Sequence, residues 1–210
     1  MNEYQSEQFG TFDMVHKLIS ALPAREKERL SAMISDYLAF RKKTADFLEA
    51  HFGEVCTLKC YQSRLSACCS RESIITFFAD IIINVLVSSE EDIQTLLRVL
   101  KTPNEGYKCV YLKNQGCLWK LKPIVCEMFL CDSAKKKVFE NNPVCELIWA
   151  DLKKQEKRFT WPDRPVLFDM LEEYFLDAGC SSPLMYLHNS PGLLRVKQNA
   201  ASEKVNKDMN

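Results

Sequence analysis

The stretch 109-CVYLKNQGCLWKLKPIVCEMFLC-131 differs in kind from everything around it. Val110-Tyr111-Leu112 and Leu118-Trp119 are β-prone, and Asn114-Gln115-Gly116 between them is turn material. The pattern predicts a small hairpin with a glycine-containing loop. Pro123 cannot continue a strand ladder but suits the first turn of a helix, so a short helical turn carrying Cys126 and Cys131 is expected after it. Four cysteines lie on this one segment: Cys109, Cys117, Cys126 and Cys131.

A second group of four lies upstream: Cys56, Cys60, Cys68 and Cys69. Cys56 and Cys60, four apart, share one face if that segment is helical. Cys68 and Cys69 are adjacent and point in different directions, so either they serve two different metal positions or one of them is merely structural. Cys109 and Cys117 face each other across the expected hairpin. Each pair is short-range, and closing such loops costs little entropy. Eight soft sulfur donors favour zinc or iron over magnesium or calcium. They suffice for two four-ligand zinc sites, or for one or two iron–sulfur clusters. All eight are therefore candidate metal ligands.

On either side of residues 56–131 the pattern is helical. Met14, Leu18, Ile19 and Leu22 follow Thr11, a candidate N-cap, at helical spacing; Pro23 interrupts; Leu30, Met33, Ile34, Tyr37 and Leu38 resume the pattern toward Phe52. Ser70 or Ser73 is expected to cap a helix ending at Val87. Its apolar run 74–87 is too short to span a membrane and carries Asp80 and Asn84. Ser89-Glu90-Glu91-Asp92 reads as the start of a helix to about Leu100. Further helices are expected over 133–141, 143–157 and 166–176, with Gly179 as a stop. The fold class is mainly α: a helical domain with a small β-hairpin and a cysteine-rich metal-binding centre. The chain divides into an N-terminal helical segment (1–55), the cysteine-cluster region (56–131), a C-terminal helical segment (132–197) and a polar tail (198–210) expected to be disordered, with one compact domain overall.

Lysine plus arginine balances aspartate plus glutamate at 28 each in 210 residues, which gives no electrostatic reason to expect nucleic acid or an anionic membrane as partner. The polar, acidic N-terminus does not read as a signal peptide. A cytoplasmic location is expected, where thiols stay reduced and serve as metal ligands more than as disulfides. Cys145, beside Leu147 and Ile148 in a helical pattern, reads as core, and Cys180 as incidental. His51 reads as partly buried or on the surface, His188 as a loop residue, and Lys135-Lys136-Lys137 as a solvated helix face. Phosphate-loop, dinucleotide-binding and His-Glu-x-x-His patterns are absent.

The segment 109–131 resembles the second half of the bacterial YkgJ-type, or CxxCxxCC, cysteine-cluster proteins: a cysteine and leucine, Gly116-Cys117 followed by an aromatic residue, a basic residue before Pro123, then Cys126 and Cys131 with Phe129 between them. Cys56, Cys60, Cys68 and Cys69 correspond to that family's opening cluster, here more widely spaced. Lys122, Glu127 and Leu130 stand where the family has arginine, arginine and proline. The resemblance implies a zinc- or iron-chelating domain using eight cysteines, and some such proteins are described as flagellin lysine methylases. Three functions follow as expectations. The leading one is a metal-stapled protein that binds or regulates a protein partner. The second is a metal-dependent, methyltransferase-like enzyme. The third is a helical adaptor in which the metal is purely structural and the amphipathic helices at 11–52 and 143–176 offer the partner surface.

Overall fold

In a computed structural model, which describes residues 1–62, 68–70, 75–104, 106–161 and 165–185, the chain is mainly helical. The elements in order are α1 (Glu3–Ala21), α2 (Ala24–Met33), α3 (Ser35–Phe52), a π-helical segment (Gly53–Tyr61), α4 (Phe78–Val87), α5 (Glu90–Lys101), β1 (Leu112–Lys113), β2 (Gly116–Cys117), α6 (Ile124–Glu127), α7 (Asp132–Phe139), α8 (Pro143–Thr160) and α9 (Leu167–Asp177).

The first helix begins earlier than its apolar pattern suggests. Asn2 caps it by accepting from the Gln5 backbone N–H at 2.8 Å, the role such a side chain fills best. Thr11 therefore lies inside α1, where its hydroxyl donates to the Glu7 carbonyl and meets Ser182 Oγ at 2.7 Å. Pro23 sits immediately before α2, as a residue without a free N–H should. α4 opens at Phe78, not near Ser70. Its cap is the carboxylate of Asp80, which accepts from the Phe77 N–H at 3.0 Å. α5 starts as its sequence dictates: Ser89 Oγ accepts from the Asp92 N–H and Asp92 accepts in return from the Ser89 N–H. α9 ends at Gly179, whose φ of +78° is costly for any residue with a Cβ. There the Cys180 N–H reaches back to the Phe175 carbonyl and the Gly179 N–H to that of Leu176, the Schellman arrangement.

α4 lies at the centre. Residues Phe78 to Val85 of this helix are all buried, as expected for a helix that is apolar on every side. α1 packs against α4 and α5, α9 against α4, and α8 against α3 and α9. The buried side chains, from Phe12 in α1 to Met185 beyond α9, form one cluster. Polar residues on α1 reach across it: Gln5 Nε2 donates to the carbonyls of Leu100 and Thr102 at the end of α5, and Gln8 Oε1 accepts from the Tyr111 hydroxyl at 3.0 Å. No helix among the described residues is long and apolar enough to cross a membrane. The expected tail, 198–210, and His188 lie outside the described residues.

Candidate metal centre

The hairpin forms where the sequence places it. β1 and β2 pair antiparallel, Leu112 opposite Cys117 and Lys113 opposite Gly116, around Asn114-Gln115. Gly116 adopts a φ of +114°, which glycine alone accepts without strain. The two strands carry the same local device twice. The sulfur of Cys109 accepts from the backbone N–H of Tyr111, and that of Cys117 from the N–H of Trp119. In both places an aromatic residue two positions after the cysteine turns into the core. Tyr111 and Trp119 meet edge to face at 5.5 Å, and Phe12 of α1 closes on Trp119 at 5.0 Å. The rings anchor the hairpin on α1 while the sulfurs are held by N–H groups that favour their anionic form.

Cys56 and Cys60 lie on the π-helical segment, not on an α-helix. Its i→i+5 bonding, seen in the Gln62 N–H to Thr57 carbonyl contact at 2.9 Å, widens the turn. Such irregularities concentrate at functional sites. This segment is fastened to the hairpin by the Tyr61 hydroxyl, which donates to the Lys113 carbonyl at 2.6 Å.

The two cysteine groups, some forty residues apart along the chain, are stitched together through the backbone. The Cys109 N–H donates to the Cys69 carbonyl at 3.0 Å, and Ser70 and Lys108 form an antiparallel bridge beside it. The thiols then interact across groups. Cys56 is pushed up to about 11, by burial first and then by the thiols of Cys68, Cys131 and Cys60. Cys68 hydrogen-bonds Cys69, which holds Cys69 below the usual thiol range and Cys68 well above it. Cys69 also feels Cys109, Cys117 and Cys126. Cys126 is pushed up to about 12, by burial first and then by Cys109 and Cys117. Cys109, pushed up to about 11 chiefly by burial, feels Cys117. The neighbourhoods therefore cut across the order of the sequence. Cys56 feels Cys68, Cys131 and Cys60, and Cys69 feels Cys109, Cys117 and Cys126, while Cys126 also feels Cys68, so the influences run between the two groups.

Two lysines act on these sulfurs: Lys113 on Cys109, and Lys122 on several. Lys122 pairs with Glu127, Nζ to Oε2 at 3.6 Å. Burial acts to lower its pKa, but Glu127, Cys117 and Cys69 outweigh that and hold it raised. In return Lys122 favours the thiolate forms of Cys56, Cys68 and Cys117.

The other candidates separate from this cluster as the sequence suggests. Cys145 is buried in the core on α8. Cys180 follows α9, its thiol raised by burial alone. His51, exposed at the end of α3, packs its ring against Phe47 at 4.9 Å. Among the described residues no three His, Cys, Asp or Glu side chains stand in a ready-made ligand arrangement. The donor set still fits a soft cation in kind: half-buried thiols, N–H groups aimed at two of the sulfurs, and a lysine that offsets negative charge.

Sequence reasoning about the cysteines passes over what lies beneath them. Asp80 and Asn84 of α4 and Arg41 of α3 are buried, and all three bond the backbone between Leu121 and Ile124. Their signal was legible: two polar residues one helical turn apart in a helix otherwise apolar.

Together these features define a mainly helical chain with a small two-stranded hairpin and eight cysteines on the segments around it, six of them partly buried and Cys68 and Cys126 exposed. Comparison of the chain with known protein families, with curated proteins and with solved structures finds no match in any of the three.

Proposed function

We propose that this protein is a metal-binding cysteine-cluster protein of the YkgJ type, holding zinc or iron (as an ion or an iron–sulfur cluster) through Cys56, Cys60, Cys68, Cys69, Cys109, Cys117, Cys126 and Cys131. The observation that carries the reading is the backbone join between the two cysteine groups, Cys109 N–H to Cys69 O with the Ser70–Lys108 bridge. Without it, eight thiols on one chain would be eight separate small side chains. With it, Cys69 of the first group and Cys109 of the second are joined through the backbone, which supports a shared site. The thiol neighbourhoods suggest the division of labour: Cys56, Cys60, Cys68 and Cys131 in one set, Cys69, Cys109, Cys117 and Cys126 in the other. The adjacent pair Cys68-Cys69 then serves both.

A bound metal would supply cross-linking energy, since it must be bought with thiol protons and repays them as folding free energy. The chain's own residues do the rest. Burial and mutual repulsion keep most of the thiols protonated in the metal-free chain; the N–H groups of Tyr111 and Trp119 and the Lys122 ammonium favour the thiolates that a cation needs. Such a site requires a reducing compartment, which makes the cytoplasm the location we propose.

The role we assign is binding or regulation of a protein partner. Val144 and Leu147 of α8 are 60% and 72% exposed, and Ile148 beside them is also open to solvent. Apolar side chains at this helical spacing suit a partner surface. Metal analysis and visible absorption of protein purified anaerobically test the reading. Bound zinc in a colourless sample, or iron with sulfur-to-iron charge-transfer absorption, is the expected result. Protein that retains neither and takes up neither on reconstitution would overturn it.

A further inference from the structure

Residues 121–124, the link between the hairpin and the turn that carries Cys126, are gripped from below by three buried side chains on two helices. Asn84 Oδ1 accepts from the Leu121 N–H at 3.0 Å. Arg41 Nη2 donates to the Lys122 carbonyl at 2.6 Å. Asp80 Oδ1 accepts from the Ile124 N–H at 3.0 Å, while its Oδ2 caps α4 at Phe77. Pro123 contributes no N–H, so the three bonds take up the consecutive polar groups that face the core. Arg41 is itself held: Nη1 donates to the Tyr37 hydroxyl at 2.8 Å, and the guanidinium lies 5.4 Å from the Tyr37 ring centre. All three side chains are 4% exposed or less.

This grip is an expensive way to gain stability. A buried cation, a buried carboxyl and a buried amide each cost desolvation, and apolar replacements of similar volume are often as stable or more so. The cost is not fully recovered either, because Arg41 Nε and Asn84 Nδ2 are buried without hydrogen-bond partners among the described residues. What three bonds along four residues do provide is a backbone with one conformation. That backbone leads directly into α6, which carries Cys126, and it follows the hairpin that carries Cys117.

We propose that Arg41, Asp80 and Asn84 are positioning residues: they lock residues 121–124 so that Cys117 and Cys126 are held at a preset separation for the cation. This rests on the metal-binding reading for its purpose, though not for its existence. A site whose supporting shell is rigid binds without first ordering its ligands, and removing such support typically costs about ten- to a hundredfold in metal affinity.

The test uses full-length protein, with Asn84→Ala and Arg41→Met as latch variants and Leu96→Ala as a control. Leu96 is fully buried on α5, so its truncation destabilises through lost packing and leaves the three hydrogen bonds to residues 121–124 with their partners. Two readouts are taken at a temperature where every variant is folded. The first is cobalt(II) affinity and the visible spectrum of the cobalt-loaded protein. The second, on metal-free protein, is the alkylation rate of Cys126 relative to Cys180, with amide exchange at Ile124. Latch variants are expected to bind cobalt about tenfold or more weakly with an altered spectrum, and to alkylate Cys126 several-fold faster, while Leu96→Ala keeps the wild-type ratio and spectrum. Wild-type rates at Cys126 and wild-type exchange at Ile124 in both latch variants would overturn the positioning role. So would unchanged cobalt affinity and spectrum in those variants. A wild-type protein that takes up no cobalt would instead sink the metal-binding reading, and the metal-free readouts would still decide whether the latch positions Cys126.

Discussion

Lys122 shows how one residue sets the chemistry of several others. Its ammonium lies close enough to Cys56, Cys68 and Cys117 to favour their thiolates, against burial that raises all three. Lys122→Met removes that attraction, so these thiols should titrate at higher pH. The expected outcome is slower alkylation of Cys56 and Cys117 at fixed pH near 8, with Cys180 unchanged; equal rates would show that the charge is screened. Cysteines of different burial should also part company. Cys145→Ser places a hydroxyl in the core and is expected to cost about 1–3 kcal/mol in denaturant unfolding with metal content unchanged. Cys131→Ser should cost one metal equivalent in a two-zinc protein and leave the set of Cys69, Cys109, Cys117 and Cys126 loaded. Loss of both equivalents would mean that the eight sulfurs act as a single cluster.

At the scale of elements, much of the fold was written in local signals. Ser89 through Asp92 made the start of α5 legible, and Ser89→Ala is expected to cost about 1 kcal/mol in chemical denaturation without altering metal uptake. Gly179 announced the end of α9, and Asn114-Gln115-Gly116 the hairpin loop. The misreadings have physical reasons. Thr11 has the chemistry of a cap, yet Asn2 offers the same chemistry further upstream, and Gln5 and Gln8 find partners across the core that an apolar pattern does not register. α4 begins late because Asp80, already inside the apolar run, is both cap and latch. The π-helical turn around Cys56 and Cys60 follows from no short-range preference.

For the whole molecule, the buried carboxyl of Asp80 links stability to pH. Burial comes first among its influences and pushes its pKa up to about 7 from 3.8, against the pull of the Ile124 and Phe77 N–H groups and of Arg41. The folded state thus holds a proton that the unfolded state has released. Asp80's contribution to stability is fully present below about pH 4 and is lost as pH rises toward 7. Relative to Asp80→Asn, metal-free wild-type protein should therefore lose stability across that window and level off above it, as read from denaturation midpoints at each pH. A difference independent of pH would mean that Asp80 stays ionised throughout. Metal binding should run the other way. Ligation displaces thiol protons, so affinity is expected to rise with pH, and a chelator should lower the thermal midpoint of the loaded protein.

The sequence by itself determined that the chain is mainly helical, that a small hairpin interrupts the helices, and that eight of its cysteines fall in two groups of four. These are properties of short stretches, where spacing, turn chemistry and capping act within a few residues. Only the tertiary structure decided how the two groups meet: it joined Cys69 to Cys109 through the backbone, and put Arg41, Asp80 and Asn84 under the chain at Pro123. Those relations depend on how α1, α3 and α4 pack through a shared core, and no local pattern encodes the distance between two points that the core alone brings together.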